Sequence, residues 1–304
     1  MSSAWGTAPT LPLILVCGEV ANQCPPRPEG TSMPAMTSVR EAIANHVRDG
    51  DIVCMEGFTH LIPFAAAHEV IRQGRRDLSA IRMTPDLIYD QMIGAGCVSR
   101  LMFSWGGNPG VGSLHRLRDA VENGWPRPLE IEEHSHAAMA NAYWAGASGL
   151  PLAIFRGYLG SDLPDVNERI RFLDDPFTGE RLAAVPAISP DVTVIHAQRA
   201  DREGNVLLEG IVGVQKEAAL AARRSVVVTV EEIVDDLKAP SHNSVILPAW
   251  AVDAIAEAPG GARPSYTHGY YSRDNAFYTE WDSISRDRQR FQEWLDVQVL
   301  GGST

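Results

Sequence analysis

The sequence has few of the residues that mark secreted, metal-bound or membrane-embedded proteins. Its 304 residues include only four cysteines, and none of them forms a CxxC pair. This scarcity argues against a disulfide framework and a zinc site, and it predicts a protein of the reducing cytoplasm. Nowhere do apolar residues run for the ~18 positions that a bilayer span requires, so we expect a soluble chain that does not enter the membrane.

A surplus of basic residues is also missing. Lys and Arg number 26 against 38 Asp and Glu, which gives a formal net charge of -12. This balance argues against nucleic acid or an anionic membrane as the main partner, although a few local arginines can still hold a carboxylate or phosphate. The sequence also has no Walker A loop, full GxGxxG fingerprint or GxSxG elbow, which argues against an obvious nucleotide site or Ser-hydrolase site.

The first 35 residues differ in composition from the rest. Residues 22–34 are rich in proline, and the short apolar run at residues 11–17 has no basic segment before it. A secretory signal therefore fits this segment badly. We expect residues 1–35 to be disordered or an upstream extension, and residues 36–304 to form the folded domain.

Strand-like and helix-like patterns alternate through the remainder of the chain. Mostly apolar runs at residues 51–55, 101–105 and 225–230 indicate buried strands, with helical periodicity between such runs. We interpret residues 161–183 as a surface excursion and residues 197–205 as a loop. The alternation predicts an α/β fold with an open, mostly parallel sheet and helices on both faces.

Three turns are expected at the carboxyl ends of the strands, where ligands bind in such sheets. The candidate binding residues are Glu56, Gly57, Phe58, Thr59 and His60 on the first turn, Gly106, Gly107 and Asn108 on the second, and Arg156 on the third. Glycine lets the backbone approach a ligand closely, and a following helix offers unpaired N–H groups to an anion. Ordinary strand-to-helix connections are the alternative interpretation.

Two groups of titratable residues could perform acid–base chemistry. Residues 130–136 hold three carboxylates and two histidines, of which we expect His136 to point into a cleft. These acids could instead complement a helix dipole, with Ser135 as a cap. Glu231 and Glu232 follow a strand and could serve as a base or nucleophile, or simply form a solvated pair.

Four stretches in a fixed order carry a further signal. They are residues 36–43 with Gly50-Asp51, residues 57–59 with 71–74, residues 191–198, and residues 252–255 with 258–265 followed by Asp274-Asn275. Their order and spacing resemble the A (alpha) subunit of class I CoA transferases, most closely that of glutaconate CoA-transferase. The resemblance covers residues 36–300 and implies the open α/β fold of that family.

The resemblance implies an enzyme that moves CoA from an acyl-CoA to a free carboxylic acid. In the family a beta-subunit glutamate attacks the thioester, and a glutamyl-CoA intermediate forms there. This chain would then act only with a beta subunit, in a heterodimer or larger assembly, with CoA as substrate and no permanently bound cofactor or metal. Its pocket would be shaped by Gly57, Phe58, Thr59, Gly106 and Gly107, with Arg156 or His60 holding a carboxylate.

One departure from the family's pattern lies on the first turn. Glu56 replaces the first glycine of a common Gly-Gly-Phe turn, and its carboxylate could repel an anionic substrate or point away from it. We expect substrate choice to differ from glutaconate CoA-transferase at this residue.

A second departure is His136, which stands where glutaconate CoA-transferase carries an amide. Related hydrolases that open steroid-derived rings hold a catalytic glutamate at a similar position, and the nearest glutamate here is Glu133. Glu133 and His136 are therefore possible supporting residues, and C–C bond hydrolysis is the alternative function. An effector-binding domain without activity is a third hypothesis, based on fold analogy.

Overall fold

The computed structural model describes residues 33–238 and 241–301. Its strands are β1 (Ala35–Thr37), β2 (Ile52–Met55), β3 (Leu78–Ile81), β4 (Val98–Phe103), β5 (Glu130–Glu133), β6 (Leu152–Phe155), β7 (Arg171–Asp174), β8 (Arg181–Pro186), β9 (Val192–Asp201), β10 (Val206–Glu209), β11 (Ser225–Val234), β12 (Ser244–Leu247) and β13 (Ala254–Glu257). Its α-helices are α1 (Val39–His46), α2 (Phe64–Arg72), α3 (Leu87–Gly94), α4 (His115–Asn123), α5 (His136–Ala147), α6 (Leu163–Val166), α7 (Gln215–Ala221), α8 (Asn275–Arg286) and α9 (Arg288–Leu295).

The main sheet confirms the predicted α/β architecture. Eight of its strands follow the order β1-β13-β11-β9-β2-β3-β4-β5, and all neighbours along this path are parallel. β10 adds antiparallel to β9, and β12 adds antiparallel to β10. The turns after β2, β3 and β4 therefore meet at one edge of the sheet.

Helices cover both faces of the sheet, because its central strands are apolar on both sides. Residues 225–230 of β11 are mostly valine and fully or nearly fully buried, and residues 192–197 of β9 are buried as well. Helices α1 to α4, α8 and α9 share one core cluster with the sheet. Helix α5 packs with β6 and β8 on the other face of the main sheet. Together with Cys54, their buried side chains form a separate apolar cluster.

Side-chain caps fix the starts of helices α5 and α8. The Ser135 hydroxyl accepts a hydrogen bond from the Ala138 N–H at 3.1 Å, which starts α5 at His136. Asp274 accepts from the Phe277 N–H at 3.0 Å and starts α8.

Three local expectations are wrong. β6 does not join the parallel sheet, since it pairs antiparallel with β8 in a second sheet of order β6-β8-β7. Residues 161–183, expected as an irregular excursion, contain α6 and β7 and lead into β8. β9 extends through most of the expected loop at residues 197–205, because its paired strand β11 runs on to Val234.

The predicted domain boundary at Met36 falls within β1, which pairs with β13. Residues 1–32 of the expected extension lie outside the described residues.

Candidate functional site

A pocket of about 230 Å³ opens at the carboxyl ends of β2, β3 and β4. It is lined by Phe58, Thr59, Arg82, Thr84, Asp86, Trp105, Pro109, His136, Arg273 and Tyr278. The turn after each of the three strands contributes to the lining, as do the first residue of α5 and the region around the start of α8. Of the predicted site residues, the structure brings Phe58, Thr59 and His136 together here.

The turn after β2 is held in a strained backbone conformation. Thr59 and Leu61 have φ angles of 63° and 53°, in the left-handed region that residues other than glycine rarely occupy. The Ser265 hydroxyl donates to the Thr59 carbonyl at 2.9 Å, and the Leu61 N–H donates to the Tyr266 carbonyl at 3.1 Å. A Cβ on Gly57 would lie 2.7 Å from the Leu61 carbonyl oxygen, so only glycine fits the turn without a shift of backbone.

Arg82 is only 1% exposed and is hydrogen-bonded to this turn. Its Nη1 donates to Asp86 at 2.9 Å, and its Nη2 donates to the Gly57 carbonyl at 2.8 Å. Burial alone would lower the pKa of Arg82, but the Asp86 carboxylate and other nearby groups outweigh it and raise that pKa. Each terminal nitrogen of Arg82 therefore has one acceptor within the protein.

Arg273 also lines this pocket. It is the residue before Asp274, the N-cap of α8. Its guanidinium lies over the Tyr278 ring at 3.7 Å, and its Nη2 donates to the Pro109 carbonyl at 2.6 Å. Within residues 33–238 and 241–301 it forms no ion pair with a carboxylate of the protein. The adjacent Asp274 is occupied in capping α8.

Glu56 points away from the pocket. Its carboxyl is 3% exposed and accepts hydrogen bonds from the Tyr143 hydroxyl at 2.7 Å and the Met83 N–H at 2.9 Å. The same tyrosine hydroxyl lies 3.1 Å from the Cys54 thiol. Burial raises the pKa of Glu56. The residue thus ties the turn to β3 and α5, and its carboxyl does not line the pocket.

His60 and Asn108 support the pocket without lining it. His60 is fully buried, stacks on Tyr266 with ring centroids 4.9 Å apart, and its Nε2 lies 2.9 Å from the Ile211 carbonyl. Burial lowers the pKa of His60. The Asn108 side-chain amide donates to the Tyr278 carbonyl at 2.7 Å, which ties the loop after β4 to α8.

Gly106 and Gly107 form the backbone of the same wall. The Gly107 N–H donates to the Pro85 carbonyl at 3.2 Å. A Cβ on Gly107 would lie 2.7 Å from the indole of Trp105, whereas a Cβ on Gly106 would meet nothing nearer than 3.7 Å. Gly107 therefore allows Trp105 to fold back beside the pocket.

The structure separates the remaining predicted residues from the pocket. Glu133 is exposed and lines a different groove, together with Arg169. Arg156 directly follows β6 of the second sheet, and two of its nitrogens donate to Glu180 at 2.6 and 2.7 Å. His136 is the one member of the predicted acid–base group at residues 130–136 that lines this pocket.

A buried network around Glu231 supports the segment that clamps the turn. Glu231 accepts hydrogen bonds from the Gly260 N–H and the Thr267 hydroxyl at 2.7 and 2.9 Å, from His196 Nε2 at 2.8 Å, and from the Tyr271 hydroxyl. Burial alone would raise its pKa, but these donors outweigh burial and lower the pKa of Glu231 to about 2. The carboxylate is an internal anchor for residues 260–271.

Several residues that line the pocket were not predicted from the sequence. They are Arg82, Thr84, Asp86, Arg273 and Tyr278. One signal was available for Arg82, a charged residue between Ile81 and Met83 at the end of a buried strand, with Asp86 four residues later. Arg273 offers no such signal, because only the tertiary fold brings the start of α8 to the ends of β3 and β4.

Membrane-spanning helices and metal clusters are both missing from the part of the chain that the structure describes. No helix in residues 33–238 and 241–301 is long and apolar enough to cross a bilayer. Across the same ranges, no group of three or more His, Cys, Asp or Glu residues is arranged to hold a metal ion.

Known proteins match the chain over most of its length. It is 66% identical to the A subunit of 3-oxoadipate CoA-transferase from Pseudomonas knackmussii, over 88% of this chain and 95% of that relative. It is 32% identical to the A subunit of glutaconate CoA-transferase from Acidaminococcus fermentans, over 86% of this chain and 88% of that relative.

Solved structures agree with these matches. The crystal structure of glutaconate coenzyme A-transferase from Acidaminococcus fermentans superposes with a TM-score of 0.82 at 31% identity, covering 88% of this chain and 89% of that one. The crystal structure of a variant of the decarboxylase AibA/AibB gives a TM-score of 0.75 at 31% identity, covering 87% of this chain and 99% of that one.

The family model described as Coenzyme A transferase matches residues 36–258. This match confirms the resemblance inferred from the four sequence stretches. The chain therefore belongs to the coenzyme A transferase family.

Proposed function

We propose that this chain is the alpha subunit of a heteromeric CoA transferase. With a beta subunit it moves CoA from an acyl-CoA to a carboxylic acid, and 3-oxoadipate is the first candidate acceptor. One observation carries the proposal: the 66% identity to the A subunit of a 3-oxoadipate CoA-transferase extends over 95% of that relative.

The chemistry is divided between the two chains of the complex. A beta-subunit glutamate attacks the thioester carbonyl, releases the CoA thiolate and forms a mixed anhydride. The thiolate then attacks the anhydride at the glutamyl carbonyl, which gives glutamyl-CoA and frees the donor acid. The acceptor acid takes CoA by the same steps in reverse. The alpha chain supplies the binding pocket in this scheme, and the nucleophile is assigned to its partner.

The pocket beside Phe58, Thr59 and His136 is assigned to the acyl group. It lies at the carboxyl ends of parallel strands, the usual place for a ligand in such a sheet. Helix α5 begins at His136, and a helix N-terminus favours the negative charge that develops on a thioester or carboxylate oxygen. Glu56 places no carboxylate in this pocket, which removes the repulsion considered for an anionic acyl group.

The test uses the complex of this chain with its beta subunit. Each chain alone and the complex are incubated with an acyl-CoA and 3-oxoadipate, and the acyl-CoA products are separated by mass. We expect 3-oxoadipyl-CoA only from the complex. Borohydride added after the acyl-CoA, without acceptor, should reduce a glutamyl-CoA thioester on the beta subunit.

If the complex releases free CoA without an acceptor acid and no glutamyl adduct is trapped, transfer is wrong and the hydrolase alternative is favoured. The position of Glu133 outside the pocket supports transfer, because the glutamate nearest to the hydrolase position lies elsewhere.

A cytoplasmic location is part of this proposal. Cys54 and Cys97, the cysteines within the described residues, are buried free thiols. Free thiols are typical of the reducing cytoplasm, and that agreement supports the location.

A further inference from the structure

The pocket contains two guanidinium groups and one carboxylate, and these charges are not equivalent. Arg82 and Asp86 form a buried ion pair at 2.9 Å, so each compensates the other. Arg273 has no ion-pair partner among residues 33–238 and 241–301. One positive charge at the pocket therefore lacks a counter-charge.

The contacts of Arg273 hold it in place while leaving it able to bind an anion. The Tyr278 ring supports its guanidinium from one face at 3.7 Å, and Pro109 accepts from Nη2 at 2.6 Å. Its Nε is buried without a hydrogen-bond partner, as is the Nε of Arg82, so the missing counter-charge is what distinguishes Arg273 from Arg82. Neither Tyr278 nor the Pro109 carbonyl neutralises the charge, because an aromatic face and a neutral carbonyl carry no full negative charge.

Two acids of the protein lie near this guanidinium, and both are occupied elsewhere. Asp86 shares the pocket, and the Arg273 charge contributes to lowering its pKa against the larger effect of burial, but its Oδ1 accepts from Arg82. Asp274 accepts from the Phe277 N–H at the start of α8. Counting Arg82, Asp86 and Arg273 together, the lining keeps a net positive charge.

The rest of the lining indicates what kind of anion would fit. Trp105 and Phe58 border the same pocket with apolar surface. A planar guanidinium with free N–H groups, set among such side chains, matches an acyl chain that is apolar along its length and ends in a carboxylate.

We propose that Arg273 is the specificity-determining residue that binds the free, distal carboxylate of a dicarboxylic acyl group. The inference rests on the proposed function, because the proximal carboxyl of the same group would be the one that carries CoA. Arg82 is instead a positioning residue, since its Nη atoms are held by Asp86 and the Gly57 carbonyl. The pocket would thus accept a dicarboxylic acyl group in preference to a monocarboxylic one of equal length.

The test compares two acceptors that differ only in the distal carboxylate, 3-oxoadipate and 3-oxohexanoate. For the Arg273→Met complex we expect kcat/KM with the diacid to fall by about 100-fold, the typical effect of losing a charged hydrogen-bond partner. With the monoacid we expect a change of less than about threefold, because no carboxylate meets the missing group. Arg273→Lys keeps the charge without the planar fork, and its loss with the diacid should be about tenfold.

Arg181→Met is the matched control. Arg181 also lies over an aromatic ring, that of Phe172 at 5.0 Å, but it belongs to β8 in the second sheet and does not line the pocket. Both kcat/KM values should equal those of the wild type in this variant. Equal losses with diacid and monoacid in Arg273→Met, or no loss with either, would overturn the assignment.

A binding measurement separates this inference from the proposed function. Calorimetric titration of the complex with adipate should show binding in the wild type and a loss of about 100-fold in Arg273→Met. If the wild-type complex transfers CoA to no acid, the proposed function fails, and the titration still decides the role of Arg273. If transfer occurs but Arg273→Met binds adipate as the wild type does, only the inference about Arg273 fails.

Discussion

Two buried glutamates support the turn at residues 57–61, and their pKa values shift in opposite directions. Glu56 accepts from one tyrosine hydroxyl and one backbone N–H, and burial raises its pKa. Glu231 accepts from a histidine, two hydroxyls and a backbone N–H, and its pKa falls to about 2. Both side chains are almost inaccessible to solvent, at 3% and 5% exposure, but the Glu56 carboxyl lies deeper in the protein than that of Glu231.

The comparison shows that depth of burial and the donors around a carboxyl together decide whether it keeps its charge. Glu231 is an anion that organises residues 260–271, and that segment in turn clamps Thr59 and Leu61. Glu56 links β2, β3 and α5 behind the turn, and its carboxyl favours the neutral form more than an exposed glutamate does. One glutamate supplies a fixed charge to the fold, while the other supplies a hydrogen-bonding link.

Removing the charged member should have the largest effect on stability. In Glu231→Ala, the Tyr271 and Thr267 hydroxyls and the Gly260 N–H lose the acceptor that they share in the wild type. Buried groups left unpaired in this way cost about 3 kcal/mol of unfolding free energy. Urea unfolding at neutral pH, followed by circular dichroism, measures this loss.

Glu232→Ala provides the control for that variant. The Glu232 side chain is 47% exposed and accepts from the Tyr270 hydroxyl at 2.7 Å, next to the network but outside it. Its loss should stay within about 0.5 kcal/mol. Similar losses for the two variants would show that the Glu231 network does not anchor residues 260–271.

The turn between the two glutamates should be the next most sensitive element. Alanine at position 57 would place Cβ 2.7 Å from the Leu61 carbonyl and 3.0 Å from the His60 carbonyl, so the backbone must move. We expect a loss of about 2 kcal/mol in the free energy of unfolding, together with at least a roughly tenfold loss of CoA transfer in the complex with the beta subunit. Urea unfolding and the transfer assay measure the two effects.

Gly106→Ala is the matched change on the neighbouring turn. A Cβ there meets side-chain atoms no nearer than 3.7 Å, and the glycine has no positive φ. Its thermal unfolding should therefore stay close to that of the wild type. A Gly57→Ala protein that is as stable as Gly106→Ala would contradict the tight turn.

The main sheet could be predicted from the sequence better than the site could. Valine-rich β11 and the glycine turn after β2 follow from local composition, so the α/β fold and the place of Phe58 and Thr59 could be predicted. Arg156 shows the limit of that reasoning. Its strand resembles the others in sequence, yet β6 pairs antiparallel with β8, and a local pattern does not encode which strand becomes its neighbour.

Hydrogen-bond donors around a buried acid are equally hard to predict from the sequence. The donors to Glu231 lie between 29 and 40 residues away along the chain. Glu56 and Glu231 both follow apolar strand residues, so the local sequence gives no reason to distinguish them. Arg273 likewise gains its place through the packing of α8 against the loop after β4.

Glu56→Gln should change the free energy of unfolding less than the other substitutions at these two glutamates. Glu56→Gln keeps an oxygen acceptor for Tyr143 and Met83 but removes the ionisable group, and we expect the change in unfolding free energy to stay within about 1 kcal/mol. Because the folded-state pKa of Glu56 is raised, the wild type loses stability as pH rises through and above the ordinary value of 4.5. The variant should therefore gain on the wild type as pH rises.

Glu231→Gln should show the opposite dependence on pH. Its folded-state pKa of about 2 lies below the ordinary value of 4.5, so the wild type has the full stabilisation above pH 4.5 and loses it as pH falls toward 2. The deficit of this variant should be greatest at neutral pH and should shrink in acid. Urea unfolding of the three proteins between about pH 3 and pH 8 measures both slopes. Slopes of the same sign would show that the pKa values of the two glutamates shift in the same direction on folding. The contrast between Glu56 and Glu231 would then be wrong.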